Sequence, residues 1–225
     1  MSFDLIERAA FGVYEIFSNL IPGSLVVMTV AVSPQFSFLN LAANGFLGAF
    51  FVLFLIFLSF IVGVAVQELS SLIEKPIFKR KYGGLPSSVM LDPSDSTFPP
   101  FFKEEIRQLA KQNLGIPEEA SSQNVFELCY TYVIQKGISK RVLQFLSMYY
   151  FSRNMMLVMP IEAFILWVLV PPSALSLLAG VVCLGLSLAF YERFVGYARH
   201  FAKEVLRSFY VDMYTAPRRN STVRQ

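Results

Sequence analysis

The chain has 225 residues, of which 55% are hydrophobic and 16% charged, and its mean hydropathy is +0.53. Soluble domains contain about 45 to 50% apolar and about 25% charged residues, so this composition excludes an ordinary soluble fold. Residues 16–67 contain no Asp, Glu, Lys or Arg over 52 consecutive positions. The formal net charge of +3 is too small to favour direct nucleic-acid binding. These features predict an integral membrane protein.

A helix needs about 20 residues to cross a hydrocarbon core of about 30 Å, and four apolar segments are candidates for such a crossing. They cover roughly residues 17–32, 41–66, 155–170 and 174–191. The second segment is long enough to tilt or to extend into the cytoplasm. The short Pro-Pro-Ser linker between the last two segments permits only a hairpin. The predicted fold is all-α, a polytopic membrane protein with four transmembrane helices and a small cytoplasmic helical domain.

Two of these segments contain a proline. Pro22 is followed by Gly23 inside the first span, a combination that predicts a break or kink in the helix. The acidic, amphipathic N-terminal segment is therefore expected to lie along the membrane interface before the chain turns inward. Pro160 in the third span frees a backbone carbonyl and predicts a bend there.

The basic residues predict the orientation of the spans. All 19 Lys and Arg residues lie outside the connections 33–40 and 171–173. Because Lys and Arg near span ends stay in the cytoplasm, both termini and the central segment are predicted to be cytoplasmic, in a multi-pass protein of the cell inner membrane. The chain then divides into an N-terminal interfacial helix with hairpin 1 (1–69), a cytoplasmic helical insertion (70–153), hairpin 2 (154–191) and a cytoplasmic amphipathic C-terminal helix with its tail (192–225).

Local signals predict helices in the cytoplasmic parts. The second span is expected to continue as a helix until Pro76, and the fourth to about residue 214. The central helices are predicted at 101–113, ended by Gly115, at 122–136, ended by Gly137, and from a cap at Ser139 into the third span. This insertion is too small to bury much core alone, so we expect it to pack on the span extensions or on a neighbouring subunit.

The cytoplasmic parts carry a predicted basic surface. Its members are Lys79, Arg80, Lys81, Arg193, Arg199, Lys203 and Arg207. One interpretation is a face held at the anionic headgroups of the lipid bilayer. The other is a docking surface for a soluble cytoplasmic protein partner. The sequence leaves both open.

Signatures of enzymes and cofactor sites are nearly absent from the sequence. The chain has one histidine, His200, and two cysteines, too few for His-pair metal sites or a Ser-His-Asp triad within one subunit. Asp92 and Asp95 occur in a Pro/Ser loop, where a plain turn is favoured over a cation site. The sequence therefore predicts no enzyme, no cofactor and no metal site.

Glu162 is the unusual polar residue of the predicted spans. An unpaired, ionised carboxylate near the middle of a span costs at least about 2.5 kcal/mol. It can be protonated and hydrogen-bonded to Asn44 or to a serine of a neighbouring helix, or it can face a hydrated interior and form an ion or proton path. Both interpretations stay open. Arg153 and Asn154, at the start of the same span, are expected to snorkel to the interface.

Small residues indicate where helices approach one another in the membrane. Ala42, Gly45 and Ala49, with Gly48 beside them, start the second span, and Gly180 and Gly185 occur in the fourth.

Three features together carry a family resemblance: Leu20-Ile21-Pro22-Gly23, the run Tyr149-Tyr150-Phe151-Ser152-Arg153-Asn154, and a basic, aromatic C-terminal helix. With two hairpins around a cytoplasmic insertion, the chain resembles small four-span prokaryotic membrane proteins encoded beside phage-defence genes, with the Kiwa membrane subunits as the candidate family. The resemblance implies an inner-membrane oligomer that senses membrane disturbance by phage and works with a soluble nucleic-acid-binding partner. It assigns no role to any residue.

The leading functional hypothesis is a non-enzymatic, oligomeric membrane sensor or scaffold, with an anti-phage role, that works with a soluble partner. The alternative is an ion channel or pore-forming effector that uses Glu162. A third class is a membrane-embedded enzyme that acts on lipid, for which Glu162 and Asp92 are the only candidate residues.

Overall fold

The structure, a computed structural model, describes residues 3–33, 45–115, 117 and 120–222, with the backbone alone for 3–15, 17, 45–47 and 216–222. Asn44 and Ala42 lie outside the described residues. Within this part of the chain, seven helices form. They are α1 (Phe3–Val32), α2 (Gly45–Tyr82), α3 (Pro86–Val89), α4 (Pro100–Leu114), α5 (Ser122–Gln135), α6 (Lys140–Leu169) and α7 (Ala174–Thr222). The all-α prediction is confirmed.

Among the described residues, three helices are long and apolar enough to cross a membrane. The candidate spans are Gly48–Tyr82 in α2, Lys140–Leu169 in α6 and Ala174–Thr215 in α7. Helix α1 contributes a shorter apolar stretch, Ser18–Val32. By length and composition, the protein is a multi-pass membrane protein.

The predicted helix ends in the central segment are confirmed. Helix α4 ends at Leu114, and Gly115 follows with φ of +68°, a left-handed conformation that glycine adopts without strain. Helix α5 begins after Ser121, whose hydroxyl accepts a hydrogen bond from the Asn124 backbone N–H at 3.2 Å. Helix α6 runs without interruption from Lys140 into the third predicted span.

The helix break predicted at Pro22-Gly23 and the helix end predicted at Pro76 are wrong, whereas a kink at Pro22 and a bend at Pro160 stay predictions. Helix α1 continues through Pro22 and Gly23, α6 continues through Pro160, and α2 passes Pro76 to end at Tyr82. A proline removes one backbone hydrogen bond, and packing against neighbouring helices can outweigh that loss. The α2 extension is anchored two residues beyond Pro76 by Phe78, which is fully buried.

The chain separates into two compact units. Unit 1 holds Met1–Glu74 and Ser147–Val195, and unit 2 holds Lys75–Leu146 and Gly196–Gln225. Their charges differ in sign: the sequence of unit 1 has 3 Lys or Arg against 7 Asp or Glu, and that of unit 2 has 16 against 9.

In unit 1, α6 is the most buried of the candidate spans. Half of its most apolar segment is buried, compared with 17% for α2 and 11% for α7. Large apolar side chains of α2 and α7 are correspondingly exposed; they include Leu53, Phe57, Leu175 and Leu188. Such surfaces suit lipid tails or a neighbouring subunit.

The core of unit 2 brings the helical insertion and the α7 extension together. Its fully buried members include Ile106 of α4, Cys129 of α5, and Leu206 and Phe209 of α7. Aromatic rings add to this packing, since Tyr132 of α5 meets Phe209 edge-on at 5.5 Å between ring centroids. The insertion therefore packs on a helix extension, one of the two alternatives expected from its small size.

Candidate functional site

A buried polar layer joins α1, α2 and α6 inside unit 1; we name Ser18, Asn19, Ser70 and Asn154 the polar layer. The Ser70 hydroxyl donates to Asn154 Oδ1 at 2.7 Å. Asn154 Nδ2 donates to the Ser18 carbonyl oxygen at 3.0 Å and to Asn19 Oδ1 at 3.5 Å. The Asn154 side chain has no solvent exposure, so the expectation that it snorkels is wrong. It hydrogen-bonds instead, because a buried amide without partners would be costly.

Arg153 pairs with an acidic side chain of α2. Its Nη1 donates to Glu74 Oε2 at 2.5 Å, and its Nη2 donates to the Gln67 carbonyl oxygen at 3.5 Å. The guanidinium also lies 5.0 Å from the centroid of the Tyr150 ring. Because Arg153 is only 4% exposed, it does not snorkel as predicted. Arg153 and Asn154 thus connect α6 to its neighbours at adjacent positions.

Helices α1 and α2 approach each other closely at two glycines. A Cβ added at Gly23 would lie 2.6 Å from the Gly63 backbone nitrogen and nearer still to the Ser59 carbonyl oxygen. A Cβ added at Gly63 would lie 2.6 Å from the Asn19 carbonyl carbon. The residue that was expected to break α1 instead allows α1 to pack against α2.

Glu162 is buried in unit 1 with an oxygen that lacks a protein partner. The residue is 5% exposed, and its Oε1 makes no hydrogen bond within the described part of the chain. The Thr29 hydroxyl of α1 lies beside its carboxyl group, and Cys183 of α7 is close enough to interact electrostatically. The carboxyl group therefore faces the interior of the unit.

An apolar cluster of α6 and α2 lies between the polar layer and Glu162. Its buried members are Val66, Met155, Val158 and Met159, and we name them the apolar plug. Asn154, Val158 and Glu162 recur every four residues on one face of α6, so the plug fills a gap of about 12 Å along that helix.

The predicted basic surface divides into exposed and engaged residues. Lys79, Arg80 and Lys81 are exposed in the last turn of α2, where cations are stabilised by the helix dipole. Arg207 of unit 2 and Arg193 of unit 1 are exposed as well.

Arg199 and Lys203, by contrast, contact other residues of unit 2. Arg199 donates to Thr97 Oγ1 at 3.0 Å, and its guanidinium lies 5.1 Å from the centroid of the Tyr82 ring. The Lys203 ammonium lies 5.9 Å from the centroid of the Phe98 ring. These two side chains are partly buried, so they contribute to the packing of the unit as well as to its charge.

The loop with the two aspartates is held by a lysine of the chain itself. The Lys103 ammonium donates to the carbonyl oxygens of Asp92 and Asp95. Ser122 donates to Asp92 Oδ1 at 2.6 Å and accepts from Arg107 Nη2 at 2.7 Å. Across the described residues, no three His, Cys, Asp or Glu side chains are placed to hold a metal ion.

The cysteine of the unit 2 core is chemically protected. Burial raises the pKa of the Cys129 thiol to about 12. The thiol is therefore almost entirely protonated near neutral pH and behaves as a small apolar side chain.

No protein-family model, curated protein or solved structure matches this chain.

Proposed function

We propose that the protein is a non-enzymatic, oligomeric scaffold or sensor of the inner membrane, with four spans and both termini in the cytoplasm. The observation that carries this proposal is the contrast between the two units. Unit 1 exposes large apolar side chains, whereas unit 2 is a compact unit that is strongly basic, with 16 Lys or Arg against 9 Asp or Glu. The positive-inside rule assigns such a unit to the cytoplasm.

Helix α1 is the fourth span of this proposal. Its apolar stretch Ser18–Val32 rises about 22 Å, somewhat less than a typical hydrocarbon core. The polar layer and the glycine crossing support its place beside α2 and α6. A short span can be accommodated by local thinning of the bilayer.

Oligomerisation is proposed for the exposed sides of α2 and α7, and the experiment is native mass spectrometry of the full chain purified in detergent. We expect a single species whose mass is at least twice the monomer mass. A strictly monomeric species at all detergent concentrations would contradict the scaffold proposal.

Unit 2 is the part proposed to dock a soluble partner, in anti-phage defence. Arg207 is exposed, so Arg207→Glu should leave folding unchanged and weaken co-purification of the product of a neighbouring gene. Lys203→Glu is the contrasting variant, since Lys203 lies over Phe98 and its loss should also destabilise unit 2. Unchanged co-purification with Arg207→Glu would contradict docking at this residue.

A second candidate function, an ion or proton channel, is favoured by one observation. The buried Glu162 carboxyl has an oxygen without a protein partner. Ion flux from liposomes that contain the purified chain, compared with Glu162→Gln, tests it. Flux that is present in the original protein and absent in the variant would support the channel; no flux in either would refute it.

A further inference from the structure

Polar groups continue from Glu162 towards one end of unit 1. Helices α1 and α6 are parallel neighbours, because Ser18 meets Asn154 and, further along both helices, Thr29 meets Glu162. Ser33 directly follows the last residue of α1 and lies four residues beyond Thr29 in the chain. Its hydroxyl is buried and makes no hydrogen bond with the described residues. These groups lead towards the end that carries the turn 171–173, which we name the hairpin end.

The opposite direction is apolar. Val158, one turn before Glu162 on the same face of α6, has no solvent exposure, and it packs with Val66, Met155 and Met159 in the apolar plug. A buried water needs two to four polar partners, roughly, and the side chains of the plug offer none. A hydrated path from Glu162 towards the polar layer is therefore interrupted.

We propose that Glu162 is a proton-binding site that exchanges with the hairpin end of unit 1, while the apolar plug closes the other end. This inference deepens the second candidate function by naming the ion and the side of access. A carboxyl group with the single hydroxyl of Thr29 beside it suits a proton better than Ca²⁺, which takes about six to eight oxygen ligands. Among the described neighbours, Cys183 on α7 is titratable, Thr29 on α1 is not, and the plug residue of α2 is uncharged.

The experiment uses a hydrophobic carbodiimide as a probe on the full chain in membranes. A protonated carboxyl adds across one C=N bond of the reagent: its oxygen bonds to the central carbon and its proton moves to nitrogen. The resulting O-acylisourea rearranges to an N-acylurea, so no group leaves and no oxidant is needed. Mass spectrometry then finds one added reagent on the peptide that contains Glu162. Glu162→Gln is the matched control and should gain none there.

Sidedness is tested in right-side-out and inverted membrane vesicles with the internal pH held constant. In the preparation whose hairpin end faces the external medium, labelling of Glu162 should fall at least about fivefold as the external pH rises from about 6 to about 9, because only the protonated carboxyl reacts. In the other preparation, labelling should not change. An equal response in both preparations, no response in either, or no labelling of Glu162 would overturn the inference.

Two variants separate the path from the site. Thr29→Val combined with Ser33→Ala should keep the labelling of Glu162 but lose most of its response to external pH. Val158→Ser, which adds a hydroxyl to the plug, should create a response in the second preparation; a variant that stays one-sided would contradict the role of the plug. One-sided labelling without proton flux in liposomes would refute the channel function and leave the proton site standing.

Discussion

The glycine crossing of α1 and α2 gives the sharpest test of the packing in unit 1. We consider Gly23→Ala and Gly63→Ala, with Gly185→Ala as the matched control. A new Cβ at Gly23 or at Gly63 would lie 2.6 Å from backbone of the other helix, whereas one at Gly185 would meet nothing within 4 Å. Carbon atoms pack at about 3.5 to 4.0 Å, and the carbonyl oxygens of Ser59 and Asn19 would lie nearer still to the new methyl groups, so the two helices would have to separate by more than about 1 Å.

The crossing variants and the Gly185→Ala control should change the free energy of unfolding in opposite directions. Because the obstructing atoms belong to the backbone and cannot rotate away, each crossing variant should lose about 2 to 3 kcal/mol of unfolding free energy, in the upper part of the range for overpacking. Gly185→Ala should gain up to about 1 kcal/mol, since alanine favours helix over glycine. The double variant should lose less than the sum, because the first separation makes room for the second methyl group.

The assay is unfolding in mixed micelles of a mild detergent and sodium dodecyl sulfate, followed by circular dichroism. Gel filtration before unfolding checks that each variant enters the assay folded. If Gly23→Ala behaves like Gly185→Ala, or if the two crossing variants are fully additive, the close approach of α1 and α2 is refuted.

Three further predictions follow from other contacts. Asn154→Ala should lower the free energy of unfolding by about 2 kcal/mol, because each lost hydrogen bond contributes roughly 0.6 kcal/mol or more. Ser24→Ala is the control: its hydroxyl donates only within α1, so the change should be less than about 0.5 kcal/mol, and equal losses in the two variants would contradict the polar layer. Gly180→Ala should displace the indole of Trp167, because a new Cβ would lie 2.5 Å from Trp167 Cε2. The fluorescence emission of this single tryptophan should therefore change, and an unchanged spectrum would count against the contact. Cys129, with its pKa raised to about 12, should resist maleimide at pH values well below 12 until the chain unfolds, and rapid labelling of the folded protein would show that the thiol is accessible.

Helix positions were predictable because they depend on local patterns. Long apolar runs set the candidate spans, and Gly115 and Gly137 mark helix ends through the left-handed conformation that glycine adopts there. Pro22 and Pro76 misled the prediction, since tertiary packing outweighed the local preference of proline.

The candidate site was only partly predictable. Glu162 was identified by its depth in an apolar segment. The hydrogen-bond partners of the other polar residues of α6, Arg153 and Asn154, could not be predicted, because they are far away in the chain. Ser70 and Asn154 are 84 residues apart, and Glu74 and Arg153 are 79 apart. One signal was available in the sequence: Asn154 and Glu162 share a face of the same helix at a spacing of two four-residue steps, which favours a common interior environment.

The central claim is the orientation of a multi-pass membrane protein with a cytoplasmic unit 2, and cysteine accessibility tests it most directly. Ser173→Cys, Lys79→Cys and Arg207→Cys are made singly in a chain whose Cys129 and Cys183 are replaced by alanine, and intact cells are treated with a membrane-impermeant maleimide. We predict labelling of Ser173→Cys in intact cells, and labelling of Lys79→Cys and Arg207→Cys only after the membrane is permeabilised. Labelling at position 79 or 207 in intact cells, or protection of position 173, would contradict the proposed topology.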